Sequence, residues 1–173
     1  TGTLTHGQPA VLDLQPLGNQ PLALCRQLAC SLAQHSDHPV SMAIAKEGAA
    51  QGVATIATTR FEALPGLGIR GTLSDQPYWL GNHRLIHDLG LCSAELEQRL
   101  DSLERQGRSV VLLCDQQQVL ALYSVADTVR PQSRQAVAEL HQLGVRTLML
   151  SGDNPHTVEA IAATVGIDEA RGN

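Results

Sequence analysis

Apolar residues recur at Leu22, Cys25, Leu28, Ala29 and Leu32, the spacing of a single helical face, and Pro21 stands where such a helix would begin. Ser36-Asp37-His38-Pro39 is a second start signal, since the N–H that proline lacks is not needed in a first helical turn. Val40, Ala43 and Ile44 follow it, and Gly48 to Gly52 supply the stop. Val11 to Leu14 reads as a strand. From Thr55 to Leu80 the pattern shifts to short β-like runs broken by Gly and Pro. Gly81-Asn82 reads as a turn, and residues 83–106 as one helix ended by Gly107. Val110 to Cys114 and Val119 to Val125 read as strands of a hairpin closed by Asp115 to Gln118.

The last third follows another pattern. Pro131 to Leu143 is amphipathic through Ala136, Val137, Leu140 and Leu143, and Gly144 ends it. Val145 to Leu150 is an apolar run of strand length, followed by Ser151-Gly152-Asp153-Asn154 and a helix from Pro155 to the stop at Gly166. Helix, strand, loop, helix is the unit of an open parallel sheet, whose ligands sit at the carboxyl ends of its strands. The chain therefore divides near Ala126, with an antiparallel α+β body before it and a piece of a doubly wound α/β domain after it.

Composition narrows the function classes. With 43% hydrophobic and 17% charged residues over 173 positions, a packed core is expected rather than disorder. The net charge of −5 and the absence of any Lys/Arg run leave no electrostatic footprint for nucleic acid or an anionic membrane. No segment reaches the roughly 18 apolar residues of a membrane span, and no signal peptide opens the chain. Cys25, Cys30, Cys92 and Cys114 form no C-x-x-C pair, so they read as reduced, buried thiols. Phe61, Tyr78, Trp79 and Tyr123 are the only aromatic residues, so a bound base would be held largely without ring stacking.

Two glycine-containing segments suit a phosphoryl group. In Ser151-Gly152-Asp153-Asn154 the glycine lets backbone approach a phosphate, the carboxylate suits Mg²⁺ or a hydroxyl, and a helix N-terminus follows. Thr1-Gly2-Thr3-Leu4-Thr5 has the same character at the opposite end of the chain. The two can act together only if the body between them is an insertion. Gly66-x-Gly68-x-x-Gly71 also fits a dinucleotide pattern, but Thr72 to Pro77 favour strand and turn where that pattern needs a helix. His83 and His87 lie one helical turn apart, a spacing able to hold a metal, yet the sequence fixes no Cys or carboxylate beside them. They read as a solvated face, as do His6, His35, His141 and His156.

These segments resemble the heavy-metal-transporting P-type ATPases. Thr1-Gly2-Thr3-Leu4-Thr5 is similar to the end of that family's Asp-Lys-Thr-Gly-Thr-Leu-Thr motif, and the resemblance places the phosphorylated aspartate just ahead of Thr1. Ser151-Gly152-Asp153 resembles the family's Thr-Gly-Asp loop, and Asp127-Thr128-Val129-Arg130 its Asp-x-x-Arg hinge. Ser36-Asp37-His38-Pro39, Gly66-Leu67-Gly68-Ile69 and Gly81-Asn82 resemble the subfamily's nucleotide pocket.

The resemblance implies a nucleotide-binding domain over residues 9–125, inserted into a partial haloacid-dehalogenase-like phosphorylation domain formed by residues 1–8 and 126–173. It implies ATP against His38, Gly66, Gly68, Ile69, Gly81 and Asn82. Thr1, Gly2, Thr3, Ser151, Gly152 and Asp153 would surround the phosphoryl group, with Mg²⁺ offsetting charge. In the intact pump this would drive metal-ion export from the cytoplasmic side of a membrane, alongside the pump's own membrane and actuator domains. The residues present would bind ATP without turning it over. Ala33 stands where many members carry a glutamate that accepts from the adenine amino group, and that loss would cost about 1 kcal/mol of binding. Gln34 or Asp37 could take its place. The wording around Gly81 to Leu85 looks closer to zinc, cadmium or cobalt pumps than to copper pumps. A soluble phosphatase of the same superfamily with a large cap also explains Ser151-Gly152-Asp153, though not His38-Pro39 beside the glycine pair. A regulatory or scaffold module has no exposed apolar stripe in its favour.

Overall fold

The computed structural model describes residues 2–152 and 155–172, the side chain of His156 excepted. Its centre is a six-stranded antiparallel sheet built from β1 (Thr5–Pro16), β2 (Thr58–Leu64), β3 (Gly68–Leu73), β4 (Gln76–Gly81), β5 (Ser109–Cys114) and β6 (Val119–Val129). The spatial order is β1-β6-β5-β4-β3-β2, a meander whose first strand returns to pair with the last. Both faces are covered, so side chains on alternate residues of one strand enter different cores. Leu113 and Tyr123 pack toward α1 (Leu22–Ala33) and α2 (Pro39–Ala50), whereas Leu112 and Leu122 join Ile86 and Leu100 on the opposite side.

That second face is covered by α3 (His83–Asp88) and α4 (Ala94–Glu104). The sequence pattern predicts one helix here, and the structure has two. Gly90 takes φ +70° and Ser93 opens a new helix, its Oγ accepting from the Leu96 N–H at 3.2 Å. Leu85, Ile86, Leu96 and Leu100 all face the same core, which is why the apolar periodicity runs through the break. Gly81 likewise ends β4, and Asn82 caps α3, in place of a free-standing turn.

The remainder comprises α5 (Pro131–Gln142), β7 (Leu148–Leu150), α6 (Pro155–Val165) and β8 (Glu169–Arg171). β7 and β8 pair in parallel, as the α/β reading requires. β7 is shorter than the apolar run from Val145, because the Val145 N–H donates to the Leu140 carbonyl in the turn that ends α5. Met149, Val158, Ile161 and Ala162 form a third small core, and Leu4 packs against it. The opening segment and the last third are therefore neighbours, with the six-stranded body carried between them. No helix among the described residues is long and apolar enough to cross a membrane.

The long β1–β6 ribbon crosses the expected division near Ala126. Its register shifts between Thr5 and Pro9, where Gly7 takes φ +69°. Asp127 stabilises that irregular stretch, its carboxylate accepting from the Gly7 N–H at 3.0 Å and the Gln8 N–H at 3.3 Å. Arg130 holds the other end, donating from Nε to the Thr5 carbonyl at 2.7 Å and from Nη2 to the Gly2 carbonyl at 3.1 Å. The Asp-x-x-Arg sequence thus clamps the entering strand to the leaving one.

Candidate functional site

His38, Gly66, Gly68, Ile69, Gly81 and Asn82 come from three separate stretches of sequence, and all six line one cleft of about 410 Å³. Its position follows from the sheet. β3 and β4 end side by side, with Gly68 opposite Gly81 in register, and the N-terminus of α2 stands across from them. Ser109, Val110 and Val111 of β5 supply further wall. No lining residue carries a fixed charge, and His38 contributes the only aromatic ring among them. A largely apolar cleft with a few polar groups suits a flat, neutral, polar-edged ligand.

Gly68 and Gly81 are glycines for reasons of space. A Cβ on Gly68 would stand 2.4 Å from the Leu80 carbonyl oxygen and 2.5 Å from the Gly81 Cα, and its φ of +151° already disfavours a side chain. A Cβ on Gly81 would meet the Leu67 carbonyl oxygen at 2.5 Å. Close strand approach therefore fixes both, whereas a Cβ on Gly66 would meet nothing within 4 Å. Gly68 continues into a strand and no helix follows, so the G-x-G-x-x-G spacing is coincidental.

His38 is the N-cap of α2, with Pro39 in the first turn. Its Nδ1 accepts from the Val40 N–H at 3.3 Å. In a neutral imidazole that leaves the proton on Nε2, and the exposed ring presents a donor edge and a flat face. The Ser36 hydroxyl accepts from the His38 N–H at 3.3 Å and steadies the approach to the helix. Asn82 plays the matching part across the cleft. Its Oδ1 caps α3 through the Leu85 N–H at 3.1 Å, and its Nδ2 donates to the Gly66 carbonyl at 2.8 Å. Ala33 ends α1 fully buried in the core and does not line the cleft. The Gln34 amide donates to the Ser31 carbonyl, and Asp37 is exposed.

A second cavity of about 460 Å³ touches His38 on one side and Gly2, Asp127, Thr157 and Ile161 on the other. It runs from the cleft to the opening segment and to α6. Thr3 is exposed beside Gly2. Ser151 ends the β7 loop half-buried, with its N–H donating to the Arg171 carbonyl at 3.1 Å, and Gly152 is exposed next to it. Thr1 and Asp153 lie outside the described residues. The β5 wall and the Val40–Ser41 turn of α2 carry no signal in the sequence that marks them as lining. The hairpin pattern located β5, but its partner across the sheet is a long-range fact.

A family model described as haloacid dehalogenase-like hydrolase matches residues 1–173. The chain belongs to the haloacid dehalogenase-like hydrolases. Within them it is similar to the heavy-metal P-type ATPases. It is 36% identical over 170 residues to the probable copper-transporting ATPase PacS of Synechococcus elongatus, a match covering 98% of this chain and 23% of that protein. It also resembles a crystal structure of a zinc-transporting PIB-type ATPase, with a TM-score of 0.81 at 29% identity, over 99% of this chain and 28% of that one. The fold of the N-domain of a copper-transporting P-type ATPase matches 69% of this chain and 99% of its own, with a TM-score of 0.56 at 19% identity. The chain spans about a quarter of the length of the curated relative. As a haloacid dehalogenase-like chain of this branch, it carries the catalytic region of a P-type ATPase.

Proposed function

We propose that residues 9–125 are a nucleotide-binding domain that holds the adenine of ATP in the cleft between His38 and the Gly68–Gly81 strand ends. The observation that carries this reading is the convergence of three sequence-separated segments, bearing six residues, on one uncharged cleft. The His38 Nε2–H supplies a donor and its ring a face for a purine, while Gly66 leaves room for the ligand beside the backbone. The extent of the structural match to an isolated N-domain supports the boundaries, as does the irregular β1–β6 junction clamped by Asp127 and Arg130.

Residues 1–8 and 126–173 are then part of the phosphorylation domain. In the intact pump, the second cavity, which reaches Gly2 and Asp127, would take the phosphates toward a phosphoryl site formed by Thr1, Gly2, Thr3, Ser151, Gly152 and Asp153. There the γ-phosphoryl group passes in line to an aspartate that is not among these 173 residues. Asp153, beside Ser151 and Gly152, would be this chain's carboxylate toward Mg²⁺. The work driven is heavy-metal export from the cytoplasmic face of a membrane, through membrane and actuator domains outside this chain. The 173 residues by themselves bind nucleotide without turnover.

Calorimetric titration with a non-hydrolysable ATP analogue, paired with a phosphate-release assay, tests this. Saturable binding that weakens about tenfold in His38→Ala, with no Mg²⁺-dependent phosphate release, is expected. Equal affinity in both proteins, or sustained hydrolysis by the purified chain, contradicts it.

A further inference from the structure

The break between α3 and α4 folds three chemically different donors together on the sheet face opposite α1 and α2. His83 begins α3, Cys92 lies in the connector, and Glu97 sits in the first turns of α4. One ligand atom from each lies within 4.8 Å of the others. The Cys92 Sγ is 3.5 Å from the His83 Nε2. A tetrahedral ion with a sulfur bond of about 2.3 Å and a nitrogen bond of about 2.1 Å separates those two donors by roughly 3.6 Å, so this pair already stands at ligand spacing.

The backbone that presents them is fixed. Asn82 caps the helix carrying His83, Ser93 caps the helix carrying Glu97, and Cys92 packs with Leu91 against the core beneath. His83 and Cys92 are half-buried, while Glu97 lies at the solvent edge of the group. A Glu97 carboxylate oxygen thus stands within 4.8 Å of both the Cys92 sulfur and a His83 ring nitrogen.

We propose that His83, Cys92 and Glu97 form a site for a borderline divalent cation of the Zn²⁺, Co²⁺ or Cd²⁺ class, with water as the fourth ligand. Thiolate with imidazole selects such ions over Mg²⁺ or Ca²⁺. On binding, Cys92 releases its proton to solvent, the His83 Nε2 lone pair takes up coordination with the ring proton on Nδ1, and the thiolate and carboxylate neutralise the ion. The site uses none of the cleft residues and stands independently of the nucleotide reading.

Titration of the reduced 173-residue chain with Co²⁺ tests it. One equivalent per chain should give a thiolate-to-cobalt charge-transfer band with tetrahedral visible absorption, and Zn²⁺ should displace it. Cys92→Ser should remove the charge-transfer band, and His83→Gln and Glu97→Gln should each weaken binding at least about tenfold. His87→Ala, one turn along α3, should bind as the parent does. Circular dichroism checks each fold, and the exposed Glu97→Gln carries the test if Cys92→Ser fails to fold. No charge-transfer band in the parent, a band that survives Cys92→Ser, unchanged affinity in Glu97→Gln, or binding that depends on His87 overturns the proposal.

Discussion

The Asn82 side chain bonds in two directions at once, its Nδ2 to the Gly66 carbonyl at 2.8 Å and its Oδ1 to the Leu85 N–H at 3.1 Å. The first bond ties down the glycine turn at the cleft mouth, and the second caps α3. The two are separable by mutation. Asn82→Asp keeps the cap oxygen and loses the donor, so stability should hold while nucleotide binding weakens several-fold. Asn82→Ala loses both and should also cost about 1 kcal/mol of stability. Thermal denaturation alongside nucleotide titration of the two variants distinguishes these effects.

Gly66 and Gly68 are two residues apart and should respond differently to alanine. At Gly68 the new Cβ collides with the backbone of Leu80 and Gly81, and the loss should approach about 3 kcal/mol with a distorted cleft. At Gly66 nothing lies within 4 Å, and only its φ of +72° opposes a side chain, so about 1 kcal/mol is expected. Urea denaturation midpoints should rank them in that order.

Arg130 joins the carbonyls of Gly2 and Thr5 to the end of β6. Arg130→Ala should cost about 1 kcal/mol and speed amide exchange selectively across residues 2–8. The sheet interior, for example Leu112 and Leu122, should keep its protection. Hydrogen exchange read by mass spectrometry checks both.

Asp168 sits where β8 meets the α5–β7 turn. The Thr147 N–H, at 2.7 Å, lowers its carboxyl below the usual range, helped by the Thr147 hydroxyl and His141. A lowered folded value means that the carboxylate stabilises the fold above the unfolded value of about 3.9, and that this contribution fades as pH falls through the folded value. Asp168→Asn should therefore melt earlier than the parent at neutral pH. The gap should close as the pH drops below about 4. Melting curves from acid to neutral pH measure it.

The six cleft residues could be named from the sequence through the resemblance to the heavy-metal pumps, whose motifs are short and local. A histidine before a proline at a helix start, a Gly-x-Gly entering a strand, and a Gly-Asn before a helix each carry their own conformational signature. Their meeting is a matter of strand order, which no local signal contains. The same limit explains the merged α3–α4 helix, since Leu85 and Leu100 keep a common apolar face across Gly90. It explains β8 as well, whose three residues are strand only because β7 lies beside them. Cys92 was invisible as a partner for His83 because the intervening turn, rather than any spacing rule, brings them together.

The most direct test of the nucleotide cleft is a ¹H–¹⁵N titration of the chain with a non-hydrolysable ATP analogue, repeated on His38→Ala. Shifts are expected only at His38, residues 66–69, Gly81, Asn82 and the β5 wall at Ser109 to Val111, lost or strongly reduced in the variant. Shifts elsewhere, or an unperturbed cleft at millimolar nucleotide, would contradict nucleotide binding there.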